Sequence, residues 1–316
     1  MISRRLLRTK ALQVIYAYYL SDQPNTLKSE KELLFSVEKT YELYHYLLLL
    51  LVDLAEYAES RMNVSKAKYF PTAEEVNPNT RFISNPVIHA IRDSTDFNKY
   101  LDTRKISWVN NPELVKKFHS QLLDDPAYHD YMDQPETSFK HHRNIILHLL
   151  SEIIVPSELF SQILEEKSIY WNDDLEFAGT MALKTIDGSK ENQNLRLFPM
   201  YKNTEDKHFM IDLFRKSILK SEETRELINK FADNWEFERI ALMDIFIMQM
   251  ALTEAMEFPS IPTKVTFNEF IEISKFYSTE KSSTFINGIL DKAFHYLKAE
   301  NKIKKTGRGL IGEVDS

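Results

Sequence analysis

Cationic side chains are concentrated in the first ten residues of the chain. Arg4, Arg5, Arg8 and Lys10 fall within about two turns of a predicted helix. Guanidinium and ammonium groups in such a cluster can neutralise the phosphates of a nucleic acid. A cluster of this kind is also common as a solvated helix end, so the residue types by themselves leave both interpretations open.

The last predicted helix carries a second candidate for nucleic-acid contact. Phe285 lies about 100° off one edge of this helix's apolar stripe, which is formed by Ile286, Ile289, Leu290, Ala293 and Leu297. An exposed ring at this position can stack on a base, and such stacking contributes ~1–3 kcal/mol. Lys281, one turn earlier, can attract phosphate. The alternative is that Phe285 fills a groove against the middle region of the chain, residues 63–205.

The composition offers little material for catalysis. The chain has 0 Cys, which excludes disulfides, cysteine nucleophiles and thiolate metal sites. Its 6 Gly leave little room for phosphate-binding glycine loops. Three of the nine histidines, His141, His142 and His148, lie close together in the middle of the chain, but they lack metal-ligand spacing. We therefore predict no enzyme, no cofactor and no metal.

Charge and hydropathy limit the possible partners. With 47 acidic and 40 basic residues the net charge is −7, so any RNA site must be a local basic patch. The apolar run 47–52 is far shorter than the ~18 residues that a membrane span needs, and we expect no membrane association. The absence of cysteine suits a reducing compartment, and we expect the cytoplasm.

Helical periodicity dominates the pattern of apolar residues and predicts an all-α fold. Apolar residues recur at helical spacing over residues 3–20 and again over residues 30–62. From residue 63 prolines interrupt the pattern, and further helices are predicted at about 87–101, 112–123 and 138–166. The apolar faces in this middle region predict that it folds.

The C-terminal part predicts three more helices. The first runs from Trp235 to Met256 and ends before Pro259 and Pro262. Thr266 and Glu269 then have the spacing of a capping box at the start of the next helix. In the last helix Gly288 predicts close packing against a neighbouring helix. The polar segment 301–316 is predicted to be a flexible basic tail.

Two separated segments resemble the NusB family of bacterial transcription antitermination proteins. The first is Arg4-Arg5-Leu6-Leu7-Arg8-Thr9-Lys10-Ala11-Leu12-Gln13-Val14-Ile15-Tyr16. The second lies within residues 231–297 and contains Trp235-Glu236-Phe237-Glu238-Arg239, Ile261-Pro262-Thr263-Lys264, Ser278-Thr279-Glu280-Lys281 and Phe285-Ile286-Asn287-Gly288-Ile289-Leu290-Asp291-Lys292. The order of the segments is that of the family.

The resemblance implies a domain organisation. Residues 1–62 would form NusB-like N-terminal helices, and residues 206–300 NusB-like C-terminal helices. Residues 63–205 would then be a helical insertion of unknown role between the second and third family helices. The implied fold is a NusB-like helical bundle with this mostly helical insertion.

The resemblance also implies a function. NusB-like proteins bind boxA-type single-stranded RNA together with NusE, a ribosomal small-subunit protein, and join the transcription elongation complex at ribosomal RNA operons. The implied RNA-binding residues are Arg4, Arg5, Arg8, Lys10 and Phe285. Lys281 departs from the family, which often has an acidic or polar residue there, and we add it to the RNA-binding set because a cation beside Phe285 can attract phosphate. The implied partner-binding residues are Tyr16, Leu20 and Asp244. Many relatives carry basic residues where this chain has Ile245 and Gln249, so cationic contacts expected there would be lost.

One other function remains open at this point, and a second is disfavoured by the composition. The chain can be a protein-interaction module in ribosome assembly that uses the insertion as its main contact. Some ribosomal RNA cytosine methyltransferases also carry a NusB-like domain, but their chemistry needs a cysteine nucleophile, which this chain lacks.

Overall fold

The computed structural model describes residues 1–232 and 240–312. Within these residues it contains fifteen α-helices and no β-strand, which confirms the all-α prediction. The chain divides into two compact units. A central unit comprises Met1–Ile2 and Glu38–Met200, and a terminal unit comprises Ser3–Val37 and the residues from Tyr201 onward.

The terminal unit is built around one buried helix. Helix α13 (Leu242–Glu257) is buried at every position from Asp244 to Ala255. Around it pack α1 (Arg4–Leu20), α11 (Thr204–Leu219), α12 (Ser221–Phe231), α14 (Thr263–Tyr277) and α15 (Glu280–Ala299). A helix that is apolar all round must be enclosed on all sides, which explains its central place.

Helix α2 (Thr26–Lys66) is longer than the predicted helix 30–62. Its first part carries an apolar stripe on one face, with Leu33 and Val37 fully buried. Its later part is apolar on several faces, with Leu47, Leu48, Leu50 and Leu51 all at 0% exposure. The first part belongs to the terminal unit and the later part to the central unit.

Short helices complete the central unit. They are α3 (Ala73–Val76), α4 (Pro86–Arg92), α5 (Thr95–Arg104), α6 (Pro112–Leu123), α7 (Pro126–Asp133), α8 (Phe139–His148), α9 (Glu158–Lys167) and α10 (Leu175–Asp187). The segment Leu149–Ile154 between α8 and α9 is π-helical. The predicted helices 87–101 and 138–166 are each divided, because Ser94 and Ser157 cap new helices by accepting the N–H groups of Phe97 and Phe160.

Three local predictions for the terminal unit need correction. The described part of the helix predicted from Trp235 begins at Leu242, and Trp235 itself lies outside the described residues. Thr266 is not a cap, because α14 already begins at Thr263 after Pro262. Gly288 is exposed, and among the described residues no atom outside its own helix backbone lies within 4 Å of the position that a Cβ would take, so none of these residues packs closely against it.

The beginning of the predicted tail lies against the rest of the terminal unit. The ammonium group of Lys305 donates to the carbonyl oxygens of Ala255 (2.8 Å) and Phe258 (3.1 Å). The N–H of Thr306 donates to the carbonyl oxygen of Pro259 at 2.9 Å. A Cβ on Gly309 would lie 1.9 Å from that same oxygen. Glycine is therefore required for this close approach of two backbones.

Candidate nucleic-acid interface

Helix α1 holds the arginine cluster in a fixed place. The hydroxyl of Ser3 caps the helix by accepting the N–H of Leu6 at 3.2 Å. Leu7, Ala11 and Ile15 are fully buried, and they seat the helix on α11, α13 and α14. The arginines therefore lie on the flanks of a helix whose rotation is set by its apolar stripe.

Arg8 is buried beneath this surface. Its side chain is 2% exposed, and it donates two hydrogen bonds to the carboxylate of Glu254, at 2.7 and 2.8 Å. Glu254 is 0% exposed and also accepts the hydroxyl of Thr266 at 2.8 Å. Paired bidentate contacts satisfy both charges inside the protein. In this arrangement Arg8 offers no surface to a phosphate.

Arg5 forms a more open ion pair. It donates to both carboxylate oxygens of Glu269, at 2.9 and 3.0 Å, and its side chain is 39% exposed. The hydrogen bonds to Glu269 raise the pKa of Arg5, against the opposing effect of burial. Glu269 also lies 3.7 Å from the guanidinium of Arg8, so it bridges the open pair and the buried pair.

Arg4 shares an aromatic ring with Arg8. Its guanidinium donates to Asp206 at 2.8 Å, and its side chain is 37% exposed. The guanidinium carbons of Arg4 and Arg8 lie 5.0 and 5.2 Å from the centre of the Phe209 ring, within the range of cation–π attraction. Lys10, the fourth cation of the cluster, is 1% exposed.

The structure thus divides the predicted cluster into two classes. Arg4 and Arg5 are partly open to solvent, whereas Arg8 and Lys10 are buried. The carboxylates that pair with the arginines were not identified from the sequence. For Glu254 the sequence does contain one indication of a buried partner, because an acidic residue occurs there within a helix that is apolar on all sides.

Lys281 and Phe285 lie on the first turns of α15. The hydroxyl of Thr279 caps this helix by accepting the N–H of Ser282 at 3.2 Å. Burial of Ser283 and Ile286 leaves Lys281 exposed and Phe285 partly exposed. Residues four apart share a face of a helix, so the two side chains lie on the same side of α15.

The three residues expected at a protein partner differ in exposure. Leu20, at the end of α1, is 55% exposed. Tyr16 lies one turn earlier, partly exposed, with its ring edge-on to Phe246 at 6.1 Å between centroids. Asp244 is 3% exposed and accepts a short hydrogen bond from the hydroxyl of Ser278. Its carboxylate is therefore engaged within the terminal unit.

Ile245 and Gln249 lie in the core. They are 3% and 0% exposed on α13, and the amide of Gln249 donates to the carbonyl oxygen of Ser217 at 2.6 Å. A basic residue at either position of this chain would be buried instead of facing a ligand. Their place in the core explains why these two positions hold an apolar and an amide side chain.

Two kinds of site are absent from the part of the chain that the structure describes. No cluster of three or more histidine or acidic side chains is arranged to hold a metal ion there. Over the same residues, no single helix is both long and apolar enough to cross a membrane, although the bent pair Phe139–Ile154 and Glu158–Lys167 meets that test by length and composition. Glu158–Lys167 is amphipathic, with Phe160 and Leu164 buried.

The fold and these side chains define a helical protein with a partly open arginine helix and a lysine–phenylalanine pair on its last helix. The profile of the NusB family matches residues 143–295. A transcription antitermination protein NusB from Salinibacter ruber is 44% identical over 114 residues, which cover 36% of this chain and 71% of that protein. The chain belongs to the NusB family.

Other relatives are similar in extent. A NusB from Koribacter versatilis is 43% identical over 100 residues, covering 32% of this chain and 68% of that protein. For a NusB from Chloroherpeton thalassium the values are 41% over 105 residues, with 33% of this chain and 50% of that protein covered. A T. maritima NusB structure matches at 25% identity and a TM-score of 0.30, covering 45% of this chain and 89% of that chain; this score is too low to support a structural argument.

Proposed function

We propose that this protein is a noncatalytic transcription antitermination factor that binds boxA-type single-stranded RNA together with NusE. In this role it joins the transcription elongation complex in the cytoplasm and supports transcription of ribosomal RNA operons. The observation that carries the proposal is family membership, at 44% identity to a protein named for transcription antitermination. The mechanism is binding, and no reaction is needed.

Four residues supply the proposed RNA contacts. Arg4 and Arg5 are the open members of the arginine cluster, and their guanidiniums can each exchange a carboxylate for a phosphate. On α15, Lys281 attracts phosphate while the neighbouring Phe285 stacks on an unpaired base. Arg8 and Lys10 complete the predicted set, and we assign them the role of holding α1 in place.

The proposed NusE contact rests on Tyr16 and Leu20. These residues lie one turn apart on α1, and Leu20 leaves an apolar side chain in solvent. Asp244 supports this surface through its hydrogen bond with Ser278. We propose that replacing Leu20 with Glu weakens NusE binding and leaves binding of RNA alone unchanged.

Fluorescence anisotropy of a labelled boxA-type RNA tests the proposal. The RNA is titrated with the protein, with and without NusE, at two salt concentrations. The expected result is tighter binding with NusE and a salt dependence of about −0.7 in log–log slope for each phosphate neutralised. If neither the protein nor the pair binds, the proposed RNA function is wrong.

Variants on α15 test the residue assignments. Phe285→Ala should weaken RNA binding by about 5- to 150-fold, the effect expected for loss of one stacked base. Phe276→Ala is a matched control, because Phe276 is 72% exposed on the neighbouring helix. Lys281→Glu should reduce the salt dependence more than Lys292→Glu, which reverses an exposed lysine further along α15.

The role in ribosome assembly remains the alternative. It predicts that Arg4→Ala and Arg5→Ala leave cellular function intact and that residues 63–205 carry the essential contact.

We retain the proposal that residues 63–205 are an insertion in a NusB-like chain. The main segment of the central unit begins at Glu38, before the proposed insertion. The match to the family profile begins at residue 143, which lies inside the proposed insertion.

A further inference from the structure

Two adjacent aromatic rings stand almost entirely in solvent in the central unit. Tyr69 is 91% exposed and Phe70 is 86% exposed. Their rings meet edge to face, with centroids 4.8 Å apart. Single exposed apolar residues are ordinary on protein surfaces, but two neighbouring rings at this exposure form a ready contact for a ligand.

The backbone on both sides of these rings is held by local contacts. Helix α2 ends at Lys66, just before the rings. Lys68 then pairs with Glu75. Glu75 also takes part in the capping box of α3, where the hydroxyl of Thr72 accepts the N–H of Glu75 at 3.2 Å. The rings therefore stand on a turn anchored before and after them.

The charge of this turn is positive within an acidic protein. Residues 60–73 contain Arg61, Lys66 and Lys68 and no acidic residue, whereas Glu59, Glu74 and Glu75 lie just outside this range and the whole chain carries a net charge of −7. All three cations are exposed. Cations within a few residues of exposed rings provide the two contacts that single-stranded nucleic acid requires, one for phosphates and one for bases.

We propose that residues 61–70, which are the end of α2 and the turn that follows it, bind single-stranded RNA without strong sequence preference. Tyr69 and Phe70 stack on unpaired bases, and Arg61 and Lys66 lie along the phosphates. Duplex RNA is a poor ligand, because its bases are already stacked within the helix. This contact is separate from the one proposed for α1 and α15 and does not depend on it.

Anisotropy of a fluorescein-labelled 12-residue uridine oligonucleotide tests the stacking contact on the full chain. Replacing both Tyr69 and Phe70 by Ala should weaken binding at least tenfold. Replacing both by Trp should keep or strengthen it, since the stacking surface is retained. Phe276→Ala removes another exposed ring, at 72% exposure, from the terminal unit and should leave binding unchanged. Far-UV circular dichroism confirms that each variant is folded.

Charge reversal tests the phosphate contact. Arg61→Glu and Lys66→Glu should each reduce the log–log salt slope by about 0.7 or more. Lys68 is left in place, because it also pairs with Glu75. A duplex of the same length should compete at least tenfold less well than the single strand.

Several outcomes would overturn the proposal. One is an unchanged affinity of the double Ala variant for the oligonucleotide. Another is a dimer in sedimentation velocity that the same variant dissociates, which would make the rings a contact between two copies of the chain. Because Phe285→Ala is measured separately on boxA-type RNA with NusE, failure of either site is distinguishable from failure of the other.

Discussion

The buried pair of Arg8 and Glu254 gives a quantitative test of what the arginine cluster does. Arg8→Met removes the guanidinium and leaves a carboxylate that is 0% exposed without its counter-ion. Breaking a buried ion pair in this way costs about 3–5 kcal/mol. The hydroxyl of Thr266 still donates to Glu254, so we expect a value toward the lower end of that range.

The same reasoning predicts recovery when the whole network is replaced. The triple variant Arg8→Met, Glu254→Met and Thr266→Val removes the two charged groups and the hydroxyl of this network together. Replacement of buried ion pairs by apolar side chains of similar volume is often neutral or stabilising. We therefore expect the free energy of unfolding of the triple variant to lie within about 1 kcal/mol of that of the unchanged protein.

Hydrogen exchange read by mass spectrometry is the suitable assay, because it reports local opening of α1 and α13 in a chain of two units. Urea unfolding followed by far-UV circular dichroism supports it. The matched control is Arg5→Met, whose ion pair with Glu269 is partly exposed and should be worth under about 1 kcal/mol.

Two results would refute this account of Arg8. The first is that Arg8→Met lowers the free energy of unfolding by less than about 1 kcal/mol, which would mean that the ion pair is solvated. The second concerns RNA binding by the stable triple variant. If Arg8 only positions α1, this variant should bind boxA-type RNA like the unchanged protein, and a large loss would show that Arg8 contacts RNA.

Three further predictions concern stability. Burial lowers the pKa of His45 to about 4, so the free energy of unfolding falls by about 3 kcal/mol as pH falls from 6.5 to 4. His45→Gln should abolish this fall when the central unit is unfolded in urea. Burial and nearby Glu56 raise the pKa of Asp53 to about 7, so the free energy of unfolding falls as pH rises from about 4 to 7. Asp53→Asn should remove this fall, whose direction is opposite to that of the His45 effect. If the Asp53 and His45 variants have the same pH profile, both predictions are wrong. Gly309→Ala should speed hydrogen exchange of residues 303–311, because its Cβ meets a carbonyl oxygen. Gly288→Ala should instead stabilise α15 by up to about 1 kcal/mol, since no described atom outside its own helix backbone lies within 4 Å of the added Cβ.

Local signals in the sequence account well for the helices. Helix α1 was expected over residues 3–20 and occupies Arg4–Leu20, because its apolar spacing and its Ser cap are both local features. The errors have local causes too. Thr266 and Glu269 have capping-box spacing, but α14 already begins at Thr263, after Pro262. Neither side chain is therefore needed as a cap, and Thr266 bonds to Glu254 of α13 while Glu269 pairs with Arg5 of α1.

The exposure of the candidate site residues was harder to infer. Asp244 and Arg8 are charged and were expected at binding surfaces, yet they are 3% and 2% exposed. Helical periodicity gives the face on which a residue lies, but it does not tell whether that face is covered by another element or by a charged partner. For Arg8 the partner is as buried as the arginine itself.

The sequence by itself determined the all-α class, the arginine-bearing face of α1 and the motifs of the NusB family, because each depends on residues close together in the chain. Only the tertiary structure decided what the arginines do. Arg4, Arg5 and Arg8 meet carboxylates 202, 264 and 246 residues away, and no local pattern encodes such pairs. Packing of α1 against α11, α13 and α14 brings those charges together, and it leaves two arginines open to solvent while burying the third.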